Sequence, residues 1–356
     1  MKNVLLIFSA AAMVLAACSK NEVVPATVAE NVEISYNVAP RTKADPEAFS
    51  TSNVFASWAY YLPEGSTWAK NRKDAIPYFA NSLISYNGKV WKNAEKSYYW
   101  PKTGSLTFFA YSLNSDSMSL VNDKAQSGFY LEDDDKAYGV TGVIDLVENP
   151  NTDLLVADVA MDKTGNTKIY DYDGVPTLFK HKLSKVIFTV KKAANYTDKS
   201  FTLKSIKFNN ICRSTHYSQF TLNDEGNFAE YCKEGTNRTT LVYTDKEMNV
   251  ETTDYVAVPD ANVTNYIYVP QDFIGVTEEG KIANIEVNYT VTMTMPGGKT
   301  VTEDCTAKVN LKKYFEKWEM GKRYTINLTF GLDEILWAPA VEDWTEGQSA
   351  GIDIKA

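Results

Sequence analysis

Two short stretches of the 356-residue sequence hold residue types whose spacing could do chemistry. The first is Leu15-Ala16-Ala17-Cys18, which ends an apolar run from Val4 to Val14 that follows the positive start Met1-Lys2-Asn3. Small residues beside a thiol let a signal peptidase reach the backbone, and Cys18 supplies the nucleophile for a thioether to diacylglycerol. The run is too short to span a bilayer and has the layout of a secretory signal peptide. Acyl chains on one cysteine, at roughly 0.8 kcal/mol per buried CH₂, make a membrane anchor. The pattern predicts a signal peptide over 1–17 and a lipidated, polar tether over 18–30. Removal of the first 17 residues leaves 339, enough for two domains of ordinary size.

The second stretch is Arg41-Thr42-Lys43, a basic loop after an alternating strand. Val32, Ile34, Tyr36 and Val38 are predicted to share one face of that strand. If the loop were cut, the strand could leave, at a gross cost of roughly 1.5–3 kcal/mol for each fully buried apolar side chain. The vacated groove would bare apolar surface and unpaired strand edges and would need another strand to fill it. A neighbouring subunit could supply one from Ile335, Trp337 and Val341 or from Ile352 and Ile354, and a head-to-tail contact of that kind grows an open filament. On the residues alone, Arg41 is better read as an exposed linker residue.

Elsewhere the chemistry is thin. The only histidines, His181 and His216, have no second ligand at zinc spacing, and His181 is expected as a hydrogen-bonded, partly buried imidazole. No nucleophile elbow, phosphate loop or dinucleotide fingerprint is present, so no catalytic residue, metal or cofactor is assigned and the chain is not expected to be an enzyme. Asp171-Tyr172-Asp173-Gly174 and Asp133 to Asp135 are carboxylate clusters, better explained as solvated turns than as calcium loops. Trp58, Tyr60, Tyr61, Trp68, Trp91, Tyr98, Tyr99 and Trp100 could stack on sugar rings if exposed together, or could pack a core. Net charge is −9, which argues against a nucleic-acid partner. Besides Cys18 there are Cys212, Cys232 and Cys305, so a Cys212 to Cys232 bridge with Cys305 free is one arrangement open to an exported chain.

The elements that must position these residues are strands. Tyr, Phe, Trp, Thr and Val are abundant in alternating runs, and helical periodicity is scarce, which predicts an all-β protein. Asn87-Gly88 predicts a hairpin turn, Leu106 to Tyr111 a central strand, and Ile285 to Leu311, turning at Pro296-Gly297-Gly298-Lys299, a long hairpin. The run Phe179 to Val190 is expected as strand, and Glu132 to Asp135 as loop. A polar stretch from Asp162 to Gly174 predicts a linker, dividing the chain into domains over 31–170 and 171–356.

The lipobox, Arg41-Thr42-Lys43-Ala44, Tyr98-Tyr99-Trp100-Pro101, Leu154-Leu155-Val156-Ala157, Phe179 to Lys185 and Val341-Glu342-Asp343-Trp344 together resemble the fimbrillin family of the Bacteroidales, the Mfa-like subunits of type V pili. That resemblance implies two transthyretin-like β-sandwich domains in tandem, lipidation at Cys18 (palmitate among the acyl groups), and trypsin-like cleavage between Arg41 and Thr42, with Lys43 as the alternative basic residue. It implies release of the first strand, strand exchange between subunits, and a cell-surface fimbria at the outer membrane that supports adhesion, a shaft subunit being the leading role. The implied partners are other fimbrial subunits, the outer membrane through the lipid before processing, and a host or bacterial surface ligand such as a glycan. The alternative is a monomeric, surface-anchored lipoprotein that binds glycans.

Overall fold

The computed structural model describes residues 32–38, 49–113, 129–133, 138–148, 150–165, 174–219, 227–228, 237–331 and 335–344. Among the described residues the regular structure is almost entirely strand, as the composition predicts, with one short α-helix, α1 (Trp68–Asn71), and four single 3₁₀ turns.

The first strands in the chain are β1 (Tyr36–Val38), β2 (Phe55–Leu62), β3 (Ile76–Tyr86), β4 (Trp91–Asn93) and β5 (Ser105–Ser112). After them come β6 (Phe129–Asp133), β7 (Tyr138–Asp145), β8 (Leu155–Ala157), β9 (Ala160–Lys163), β10 (Val175–Thr177) and β11 (Phe179–His181). All but β6 and β7 join one sheet in the order β10-β1-β4-β3-β2-β5-β8-β11, with β9 on β5. Only Leu178 separates β10 from β11, so the two ends of this sheet are one residue apart along the chain and the sheet curls on itself. Alternation along β2 sorts its side chains. Phe55 and Ala59 point into the curl with Tyr36, Phe79, Trp91, Phe108 and Phe179, whereas Ala56, Trp58, Tyr60 and Leu62 belong to a second core on the other face. Both faces of β2 and β5 are covered, which is why β5 is an unbroken buried run. The Asn87-Gly88 turn joins β3 to β4, with Gly88 at φ 92° and the Asn87 side chain accepting from the Lys89 and Val90 amides.

The remaining strands are β12 (Ser184–Lys192), β13 (Lys199–Cys212), β14 (Ser214–Ser218), β15 (Asn227–Phe228), β16 (Arg238–Thr244), β17 (Met248–Val250) and β18 (Val256–Ala257). They continue as β19 (Ile267–Tyr268), β20 (Gln271–Asp272), β21 (Asn284–Thr294), β22 (Thr300–Asn310), β23 (Lys317–Trp318), β24 (Lys322–Phe330) and β25 (Ile335–Asp343). One sheet runs β18-β12-β24-β25 with β19, another β16-β13-β21-β22 with β17. Their inner faces meet as a sandwich, with Phe188 on Phe208 at 5.7 Å and Phe330 on Phe201 at 6.0 Å between ring centroids. The predicted long hairpin is β21 and β22, in register from Asn284↔Asn310 to Thr294↔Thr300.

Two expectations need correction. The chain leaves this first sheet between His181 and Ser184, since β10 and β11 still pair with β1 and β8. The run from Phe179 to Val190 is therefore two strands in two sheets. Glu132 and Asp133, expected in a loop, lie in β6, which pairs with β7. A four-stranded sheet, β15-β14-β7-β6, joins strands from both halves of the chain. There the single Arg213 Nε–H is shared between both Asp145 carboxylate oxygens, at 3.0 and 2.9 Å. Burial acts to raise the Asp145 carboxyl pKa, but Arg213 and the Val147 and Glu148 amides outweigh it and hold the pKa below its ordinary value.

Candidate functional site

The candidate site is the slot that β1 fills. β1 lies inside its sheet, parallel to β10 through Tyr36↔Val175, Asn37↔Pro176 and Val38↔Thr177, and opposite Trp91 of β4 at Tyr36. The chain just before it bridges Glu33 to Tyr99. The Ile34 amide donates to the Tyr98 carbonyl at 2.7 Å, the Trp100 amide to the Val32 carbonyl at 2.9 Å, and the Val175 amide to the Ser35 carbonyl at 2.8 Å. Gly174, at φ 116°, permits that last approach, since a Cβ there would stand 2.9 Å from the Ser35 oxygen.

Period-2 alternation turns Ile34 and Tyr36 inward, and both are buried. The Tyr36 ring meets Phe55 and Phe108 edge-on, at 5.3 and 5.9 Å. Its hydroxyl donates to the Ser57 Oγ at 2.9 Å, and Ser57 donates to the Phe109 carbonyl at 3.0 Å. Burial pushes the Tyr36 hydroxyl pKa well above the usual tyrosine range. Val38 is half-buried against the same core. Val32, at the head of the expected inward set, is 37% exposed although its carbonyl accepts from the Trp100 amide. On the outer face Lys92 Nζ lies 3.1 Å from both carboxylate oxygens of Glu33. A Ser97 hydrogen bond, then the Lys92 contact, keeps the Glu33 carboxyl pKa below its ordinary value. The described chain resumes at Phe49, which stacks on Phe179 at 4.5 Å inside the curl. Arg41, Thr42 and Lys43, and also Cys18, lie outside the described residues.

At the other end of the chain, β25 is an edge strand paired to β24 from Lys322↔Asp343 to Phe330↔Ile335. Ile335 is buried, Trp337 is half-buried against the sandwich core, and Val341 is 51% exposed. Trp344 then turns inward, its amide donating to the Gly321 carbonyl at 2.8 Å and its ring stacked on His181 at 3.9 Å. His181 is buried and bonds through Nδ1 to the Asp153 carboxylate at 2.7 Å. Ile352 and Ile354 lie outside the described residues. Thus the structure brings Ile34 and Tyr36 together in one slot, and sets Ile335 and Trp337 on a separate sheet edge.

The aromatic set splits up. Trp58, Tyr60, Trp68 and Trp91 are buried, Tyr61, Tyr98 and Trp100 are half-buried, and Tyr99 is 45% exposed. They form no exposed, coplanar platform. Cys212 is disulfide-bonded and Cys305 is free, with Cys232 outside the described residues. Asp171, Asp173, Asp134 and Asp135 are also outside them. Among the described residues no three histidine, cysteine or acidic side chains group so as to hold a metal, and no helix is long and apolar enough to cross a membrane. Sequence reading missed Ser57 at the floor of the slot. Its one signal was a lone hydroxyl in the apolar run Phe55-Ala56-Ser57-Trp58.

Among curated proteins none matches this chain. A crystal structure of a fimbrial protein from Bacteroides vulgatus is similar with a TM-score of 0.56 at 16% identity, over 88% of this chain and 99% of that one. A putative cell adhesion protein from Bacteroides uniformis aligns at 18% identity over 89% and 98%, with a TM-score of 0.45. The first of these shows a shared fold. The model of the fimbrillin-like family matches residues 42–344, most of the sequence, and the chain belongs to that family.

Proposed function

We propose that this protein is a structural subunit of a cell-surface fimbria, assembled by removal of β1 and insertion of a strand from another subunit. In this reading the precursor reaches the outer membrane as a lipoprotein acylated on Cys18. A trypsin-like protease then cuts between Arg41 and Thr42, with Lys43 as the alternative. The family match beginning at Thr42 suits that boundary. The observation that carries the reading is the seat of β1: a three-residue strand, held on both sides, that closes a core its release would open.

Full burial of Ile34 and Tyr36 is worth about 1.5–3 kcal/mol each in area terms, so an empty slot is costly. β1 is also the only strand paired to β10 among the described residues. Its departure would leave the edge of β10 and the Tyr98 and Trp100 backbone groups unpaired beside bare apolar surface. An extended segment that restores both ladders and both side chains is the natural occupant. Donation from one subunit into the next is heterologous and grows a filament, which suits a shaft role, with adhesion to host or bacterial surfaces as the filament's use. The cargo of the alternative, a glycan on an aromatic platform, finds no support in the core positions of those rings, and we assign no catalytic role, metal or cofactor.

The experiment is a precursor carrying Arg41→Ala with Lys43→Ala. It should remain folded by circular dichroism and form no filaments when exposed to the protease. Normal filaments from this variant would defeat the cleavage step.

A further inference from the structure

We propose that the β1 slot is a tyrosine-selective strand-binding site, and that the occupant it prefers is an extended segment of another subunit bearing an aliphatic residue with a tyrosine two positions later. The proposal rests on the strand-release reading above and names the partner it requires.

The selectivity comes from Ser57. It is completely buried on the inward face of β2, between Phe55 and Ala59. A serine hydroxyl has one proton, and here that proton is committed to the Phe109 carbonyl. What Ser57 still offers is an acceptor, which Tyr36 uses at 2.9 Å. An occupant must therefore bring a donor to that depth, past the edges of Phe55 and Phe108. Tyrosine carries one at the far end of a ring of the right width. Phenylalanine and the aliphatic residues fill space but leave a buried acceptor bare, and a carboxylate would bring a second acceptor and a charge. Alternation fixes the second requirement: a residue two places earlier occupies the Ile34 position.

This chain's own tail meets the pattern poorly. Residues 335–356 contain no tyrosine. Ile352 and Ile354 have the spacing without a donor. Ile335 and Trp337 have a donor on a bulkier ring, and both are already seated against β24 through the Thr329↔Leu336 and Leu328↔Trp337 region of the ladder. A copy of this chain is thus a weaker donor than a subunit with the aliphatic-x-tyrosine pair.

The test starts from the full-length protein after limited trypsin treatment, challenged with three labelled peptides: residues 32–38, the same peptide with Tyr36→Phe, and residues 349–356. Binding is read by fluorescence anisotropy. The tyrosine peptide should bind about five- to tenfold more tightly than the phenylalanine peptide, the loss expected for one buried hydrogen bond. The tail peptide should bind more weakly than either, and Ser57→Ala should abolish the preference for tyrosine. Equal binding of the tyrosine and phenylalanine peptides, or a tail peptide as tight as the tyrosine peptide, would overturn the selectivity and leave strand exchange standing. If no peptide binds the cut protein, strand release itself fails. Should Ser57→Ala not fold, the tyrosine and phenylalanine pair on the unsubstituted protein decides the matter.

Discussion

The first and last described strands of this protein are held in opposite ways. β1 has three residues, partners on both sides, and Tyr36 sunk in a core, with Ile34 buried just before it. β25 has nine residues, one partner among the described residues, and a mostly half-buried or exposed face. A short strand between two others is a plug, whose hold comes from what its side chains fill. A long edge strand is held by its ladder, and an open edge invites further pairing unless it is blunted. β25 carries Pro339 in its middle and Glu342 and Asp343 at its end, where they pair with Arg323 and Lys322. The contrast teaches that a specific strand-binding site is best built as an interior slot, while the edges of the sheet are guarded.

The largest effect expected from that contrast is on stability. Tyr36→Ala should cost about 3–5 kcal/mol in urea denaturation of the intact precursor, whereas Trp337→Ala should cost about half as much or less, given its partial exposure. Equal losses would break the comparison. Next comes the tail. Truncation after Val341 removes the Trp344 stack on His181 and should cost about 3 kcal/mol. Loss of filaments on truncation after Trp344, with the denaturation midpoint unchanged, would place donation in residues 345–356.

The smallest effect concerns pH. Because the Glu33 pKa is depressed in the folded state, its contribution is complete above the unfolded value and is lost as pH falls through the folded one. Hydrogen exchange at residues 34–38, corrected for intrinsic rates, should therefore quicken slightly below the ordinary carboxylate range. Glu33→Gln should remove that dependence. The pair is partly exposed, so solvent screening keeps the change small.

Much of this was legible from residues close in sequence. The alternation of Ile34 and Tyr36, the Asn87-Gly88 turn and the β21 and β22 hairpin are local patterns, and local patterns fix local structure. What failed to show was pairing at a distance. Val175 to His181 has the same apolar pattern whichever sheet it joins, and only its partners Tyr36 and Leu155 decide the matter. The pairing of β7 with β14, between Asp145 and Ser214, is equally invisible to periodicity. Val32 fits the alternating pattern, yet it is 37% exposed. The floor of the slot was hidden for the same reason, since Tyr36 and Ser57 are 21 residues apart and meet only when the sheet curls.

The central claim is that β1 leaves and another strand takes its place. The most direct test is to digest the full-length precursor with trypsin, isolate any oligomers by size, and identify their N-termini and bound peptides by mass spectrometry. The account predicts oligomers that begin at Thr42 or Ala44 and have lost the segment carrying residues 32–38. Oligomers that retain that segment in equal amount with the rest of the chain would contradict it.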